Sequence, residues 1–198
     1  MSVDINEVMR LVRETRQFVE NRDMAGHVKG KGLADYVTQV DTNIQNFLRE
    51  KLGELAPEIE FLGEEDGLHA MKGDTFWILD PIDGTTNLVH DYQHSTVSLG
   101  LYSKGEIILG VIYDPFREEM FYAEKGKGSF VNGRPIHVAE AENLGQTIIA
   151  IGTAPYQKEL APQNFACFQR VFEKCEDIRQ TIGMKEVYAQ RKETVERL

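Results

Sequence analysis

The sequence predicts a layered α+β fold: N-terminal helices against an antiparallel sheet, then the start of a second α/β layer. Apolar residues recur at helical spacing in the first quarter of the chain, and the period shortens to that of strands from about residue 59. Four β-rich segments then follow between 95 and 131, separated by turn residues. With 198 residues, 41% of them hydrophobic, the chain can build one sizeable core.

The first helix places Ile5, Val8, Met9, Val12 and Val19 on one face, and Asp4 with Glu7 resembles a capping box at its start. Gly26, Gly30 and Gly32 break regularity, and Lys29 and Lys31 between them read as solvated loop lysines. A second helix follows Asp41 with Ile44, Phe47, Leu48 and Leu52 as its stripe, and Pro57 lies beyond its end. Ile59–Leu62 reads as a short strand running into Gly63-Glu64-Glu65-Asp66-Gly67, and Phe76–Leu79 as a buried strand running into Asp80-Pro81. Segments 95–102, 106–113, 119–123 and 129–131 form a meander, with turns at Lys104-Gly105, Asp114-Pro115, Gly126-Lys127-Gly128 and Asn132-Gly133. A strand at 147–151 and a helix around 164–175 follow. Cys167 and Cys175 lie in that helix with Phe168, Val171 and Phe172, where core packing is expected. Residues 184–198 read as a divergent amphipathic helical tail.

Several function classes are set aside by composition. No run of about 18 apolar residues predicts a transmembrane helix. The charged N-terminus has no signal-peptide core, and two cysteines make no disulfide framework, so a cytoplasmic location is expected. A net charge of −10 and a pI near 5.0 have the wrong sign for nucleic acid or an anionic membrane. An acidic chain can still hold phosphate esters if it recruits divalent cations.

The densest chemistry is Trp77-Ile78-Leu79-Asp80-Pro81-Ile82-Asp83-Gly84-Thr85-Thr86-Asn87. A buried strand delivers Asp80 at its end, and Pro81 keeps the chain extended there. Asp80 and Asp83 can then face one centre, with the Ile82 carbonyl between them. Hard divalent cations take oxygen ligands of this kind. Gly84 leaves room for an anion, and Thr85-Thr86 opens a short helix whose free N–H groups suit a phosphate. Upstream, Glu64 and Glu65 sit in an acidic turn after a strand. Asp41 stands at the head of the second helix, where it can cap the helix or orient a water. His90 and His94 are four apart, a zinc-like spacing, but no third soft ligand lies near and oxygen ligands dominate.

Together these pieces resemble the inositol monophosphatase family, within the group of metal-dependent, lithium-sensitive sugar-phosphate phosphatases. Trp77 to His90 is close to the family's signature, Gly63-Glu64-Glu65 to its second acidic motif, and Asp35-x-Val37-Thr38-x-x-Asp41 to its N-terminal motif. Gly126-x-Gly128 with Asn132-Gly133 matches a hairpin of the same proteins. The resemblance implies a layered αβαβα sugar-phosphatase fold and Mg²⁺-dependent hydrolysis of a small polyol phosphate, inositol monophosphate foremost. Mn²⁺ is expected to substitute and Li⁺ to inhibit, and a homodimer is expected. Glu64, Asp80 and the Ile82 carbonyl would hold one Mg²⁺, and Asp80 with Asp83 a second. Asp83, Gly84 and Thr85 would contact the substrate, the last two through backbone N–H groups. Thr85 and Asp41, with Glu64, would activate the attacking water, and Glu65 would support the ligands from behind.

The sequence also departs from that pattern. Family members run longer and carry a C-terminal Trp-Asp whose acid completes the second metal site, with a further acid on the substrate's hydroxyls. Trp77 is the single tryptophan here, so no such motif follows, and the likeness ends near Gly183. The expected organisation is a metal-site domain over 1–140, the start of a second α/β layer over 141–183, and the tail over 184–198. The chain is therefore expected to be a C-terminally truncated member, with impaired activity and apolar surface left uncovered around 147–175. Two alternatives stand beside the monophosphatase: a phosphatase for fructose 1,6-bisphosphate or a 3′-phosphoadenosine nucleotide, and an inert metal-binding interaction module.

Overall fold

The computed structural model describes residues 3–20, 28–32, 35–66, 71, 73–152 and 157–180. The first helical stretch divides into α1 (Ile5–Glu14) and α2 (Arg16–Val19). At the junction the buried Thr15 hydroxyl donates to the Val12 carbonyl at 2.6 Å, a bond that competes with the helix ladder. Asp4 caps α1 by accepting from the Asn6 N–H, but Glu7 pairs with Arg10 instead of closing the capping box. Strands β1 (Val28–Gly32) and β2 (Asp35–Thr38) form an antiparallel hairpin where the glycines suggested a loop. Lys29 and Lys31 thus belong to a strand.

Helix α3 (Gln39–Leu55) begins earlier than expected, because Thr38 is its N-cap and Asp41 lies inside the first turn. Its stripe of Ile44, Leu48 and Leu52 is fully buried, and the chain leaves the helix at Ala56, just before Pro57. β3 (Glu60–Gly63), β4 (Thr75–Asp83), β5 (Thr96–Ser103), β6 (Glu106–Asp114), β7 (Glu119–Glu124), β8 (Gly128–Val131) and β9 (Arg134–Ile136) form one seven-stranded sheet in sequential order. Its strands from β4 to β9 are an antiparallel meander, as expected, but β3 joins β4 in parallel. The short helix α4 (Thr85–Val89) interrupts the sheet after β4.

Helices α1, α2 and α3 cover one face of the sheet. Val8, Val12, Ile44, Leu48, Trp77, Leu79, Val97, Val111 and Tyr113 share a continuous core there. The other face carries alternate, smaller residues such as Gly100 and Gly110. They line a cavity of about 330 Å³ with Ile78, Ile112 and Phe121.

Beyond the sheet, β10 (Ile148–Ile151) pairs in parallel with β11 (Asp177–Gln180) across α5 (Ala161–Phe172). A parallel pair bridged by a helix is the βαβ unit of an α/β layer. No residue of α5 is buried, and Ile148, Leu160, Phe165 and Phe172 are exposed. Cys167 is exposed and Cys175, past the helix end, half-buried, so core packing does not hold for either. The apolar repeat that marks a helix face says nothing about whether anything covers that face. The expected tail over 184–198 lies outside the described residues.

Candidate metal and phosphate site

Parallel pairing of β3 with β4 brings the acids together. Gly63 aligns with Leu79, so Glu64 and Asp80 leave the same end of neighbouring strands. An antiparallel β3 would have sent Glu64 to the far end. Along β4, Asp80 and Asp83 are three residues apart, a spacing that puts side chains on opposite faces of a regular strand. The register against β5 slips by one residue between them: Asp80 faces Ser98, and Asp83 faces Thr96. This bulge, carrying Pro81, returns both carboxylates to one side.

Asp80 is the centre of the cluster. Burial pushes its carboxyl up to about 9, helped by the negative charges of Glu64 and Asp83, a hydrogen bond with Glu64, and Asp41. Its Oδ1 is buried with no hydrogen-bond partner. Such a group is costly unless a proton or a cation compensates it. Among the described residues no three His, Cys, Asp or Glu side chains are disposed to hold an ion as they stand. The hydrogen bond between Glu64 and Asp80 engages oxygens that an ion would claim. The donor chemistry nevertheless fits a hard divalent cation, because every candidate is a carboxylate or carbonyl oxygen and one buried oxygen is unpartnered.

Asp41 reaches the cluster from α3. It is 2% exposed, and burial raises its carboxyl above the usual range, partly offset by donation from Thr38. The Thr38 N–H and hydroxyl both donate to Oδ2, at 2.8 and 2.5 Å. Oδ1 is left to face Thr85, whose hydroxyl lies 3.2 Å from it and 3.0 Å from the Ile82 carbonyl. One hydroxyl proton thus has two acceptors, and the oxygen keeps lone pairs for a third group. The charge of Glu65 is felt at Asp41.

Gly84 caps α4 in the left-handed region, with φ of 93°. A side chain there would approach the His94 carbonyl at 3.1 Å and the Asn87 amide at 3.2 Å. Two bonds hold this corner: Asn87 Nδ2 donates to the His94 carbonyl at 2.7 Å, and the Ser95 hydroxyl to the Gly84 carbonyl at 2.9 Å. Gly84→Ala is expected to cost at least about 1–2 kcal/mol from the left-handed backbone alone. Chemical denaturation checks it, and an unchanged midpoint would show that the corner relaxes freely.

The structure therefore brings Asp41, Glu64, Asp80, Ile82, Asp83 and Thr85 to one end of the sheet, with Gly84 beside them and Glu65 near enough for its charge to act on Asp41. His90 is exposed at the end of α4, whereas His94 is buried ahead of β5. Sequence reasoning missed the roles of Thr38, Asn87 and Ser95. Only Thr38 left a trace, in the Thr-x-x-acid spacing of a capping box.

The fold and this acidic corner define a layered α+β protein built around a carboxylate cluster at a strand end. A model of the inositol monophosphatase family matches residues 3–189, and the chain belongs to that family. It is 38% identical to an inositol-1-monophosphatase of Rhizobium meliloti over 139 residues, which are 70% of this chain and 52% of the relative. It is 34% identical to the Nus factor SuhB of Xylella fastidiosa, over 78% of this chain and 56% of that one. The chain spans about half the length of the curated relatives it matches. Among solved structures, the extragenic suppressor protein SuhB of Bartonella henselae superposes with a TM-score of 0.82 at 29% identity, covering 91% of this chain and 71% of that one. An IMPase of Thermotoga maritima superposes with a TM-score of 0.77 at 28% identity, covering 90% and 68%. No helix of the described residues is long and apolar enough to cross a membrane.

Proposed function

We propose that the chain is a Mg²⁺-dependent phosphomonoesterase for a small polyol phosphate of the inositol monophosphate type, with water as nucleophile. The buried, unpartnered Oδ1 of Asp80, set among Glu64, Asp83 and Asp41, carries this reading. Glu64, Asp80 and the Ile82 carbonyl would hold one Mg²⁺, and Asp80 with Asp83 a second. When bound, such ions make a nucleophile available near neutral pH and offset charge on the phosphoryl group. The chain's own residues do the rest. Gly84, without a side chain, and the N–H groups opening α4 receive the phosphate. The Thr85 hydroxyl, donating to Asp41 or to the Ile82 carbonyl, accepts from the attacking water and fixes its direction. Asp41 holds Thr85 in place and is the final acceptor of the proton: the water gives its proton to the Thr85 hydroxyl as that hydroxyl gives its own to the Asp41 carboxylate.

The test is phosphate release from inositol 1-phosphate across a Mg²⁺ titration, with Mn²⁺ binding followed separately by paramagnetic resonance. Release that needs the cation and stops on chelation is expected. A chain that binds Mn²⁺ without releasing phosphate from any polyol phosphate would leave a metal-binding protein and remove the esterase.

A further inference from the structure

Three acids in succession, Glu64, Glu65 and Asp66, form a single 3-10 turn after β3. Adjacent like charges repel, so the turn needs a hold from outside. That hold comes from α3, through two residues one helical turn apart. Gln45 is 4% exposed, and its Oε1 accepts the Glu65 N–H at 3.1 Å. Its Nε2 donates to Asp66 Oδ1 at 3.2 Å. Asp66 Oδ2 accepts the Gly63 N–H at 3.2 Å and pairs with Arg49, whose guanidinium lies 5.0 Å from the centre of the Phe61 ring. Gly63 admits this arrangement, because a Cβ there would stand 2.1 Å from Gln45 Oε1. The two residues after Glu64 are thus gripped by one helix, and Asp66 so held fastens the Gly63 N–H before it, while Glu64 itself remains exposed.

We infer that Gln45, braced through Asp66 by Arg49, is a positioning residue that aims Glu64 at the metal site. The inference rests on the reading of Glu64 as a ligand. Gln45 is a sound choice for the task. A single primary amide supplies one acceptor and one donor in a fixed plane, so it bonds to the backbone on one side of the turn and to a carboxylate on the other. A carboxylate would repel Asp66, and an apolar residue would leave the Glu65 N–H unpaired in a half-buried place.

The test uses the full chain and Mn²⁺ alone. Gln45→Leu is expected to weaken Mn²⁺ binding by about tenfold or more, the usual effect of losing a group that orients a ligand. Gly63→Ala, which displaces the Gln45 amide without altering it, should do the same. Ile44→Val, in the same helix but facing the core, should lower the melting temperature and leave Mn²⁺ affinity within about twofold. Should Gln45→Leu fail to fold, Gln45→Glu serves: it should weaken Mn²⁺ binding, and adding Asp66→Asn should restore it by reversing the donor and acceptor. A metal-independent readout accompanies these. Amide exchange at Glu65 should quicken by about tenfold in Gln45→Leu while α3 amides near Leu52 hold their rates. Unchanged Mn²⁺ affinity in Gln45→Leu and Gly63→Ala, or no rescue by the paired change, would overturn the inference. Wild-type protein that binds no Mn²⁺ would instead overturn the metal-site reading, and the exchange at Glu65 would still decide whether Gln45 holds the turn.

Discussion

Chelator-treated protein is expected to lose stability as pH rises from about 5 to about 8, and Asp80→Asn to remove most of that loss. The sign follows from the direction of the shift. Asp80 is held up to about 9 in the folded chain, against 3.8 for the unperturbed group. Between those values the folded state keeps a proton that the unfolded state has released, so each rise in pH favours unfolding. The slope is at most about 1.4 kcal/mol per pH unit for one proton. For a chain of this size each kcal/mol moves the melting temperature by about 2–4 °C. Asparagine fills the same space without a charge to lose, so its melting curve should be nearly flat over this range. Mg²⁺ should act in the opposite direction on the wild type, raising the melting temperature most at the upper end of the range, where binding the ion no longer has to displace as much proton. Asp80→Asn should gain nothing from Mg²⁺, and Asp83→Asn should keep part of the gain, because only Asp80 is proposed to serve both ions. Equal losses of Mg²⁺ binding in the two variants would remove the shared role. A wild-type melting temperature that rises with pH in chelator would show that the cluster is not held protonated.

The stretch that carries this chemistry was legible in the sequence because its determinants are local. Pro81 restricts Asp80, Gly84 permits the left-handed corner, and Thr85-Thr86 opens α4, each through contacts within a few residues. What brings Glu64 beside Asp80 is not local. It depends on β3 running parallel to β4, and the short link between them gave no sign of it, since parallel neighbours usually need a crossover of a dozen or more residues. The one-residue slip between Asp80 and Asp83 was equally hidden, because it exists only relative to β5. The hairpin of β1 and β2 was missed for a different reason. Its first strand, Val28–Gly32, alternates lysine with glycine after Val28, which is the one β-branched residue in it to mark a strand.

Gln45 shows the limit most plainly. It lies between Ile44 and the later apolar positions of α3, and a glutamine there reads as an ordinary helix-surface residue. Only tertiary placement makes it a buried partner of Glu65 and Asp66. Cys167 errs in the opposite direction. Its apolar neighbours mark a helix face, and that face is exposed.

Thr85→Ala is expected to reduce turnover by about 10²–10³-fold at saturating Mg²⁺ while leaving Mn²⁺ affinity within about twofold. The separation arises from where the hydroxyl sits. It donates to Asp41 Oδ1 or to the Ile82 carbonyl, and its lone pairs are what remains for a water. Removing it takes away a water-orienting group and leaves every proposed metal ligand in place. Thr85→Ser keeps the hydroxyl and should retain most of the turnover. Asp41→Asn should fall nearly as far as Thr85→Ala, for a reason that can be traced atom by atom. Oδ2 of Asp41 takes two donors from Thr38, so the asparagine must turn its oxygen that way to preserve the helix cap. Its NH₂ then points at Thr85, where a carboxylate oxygen had accepted. Thr85 must now donate to Ile82 alone and spend a lone pair on the amide, which withdraws it from the water. The cap survives in that orientation, so Asp41→Asn should melt within a few degrees of wild type, whereas Asp41→Ala should lose about 1 kcal/mol more with the cap. Kinetics with inositol 1-phosphate, paired with Mn²⁺ titration of each variant, separates these effects. If Thr85→Ala weakened Mn²⁺ binding and its turnover at saturating metal matched wild type, the hydroxyl would belong to the metal site, and another group would have to orient the water.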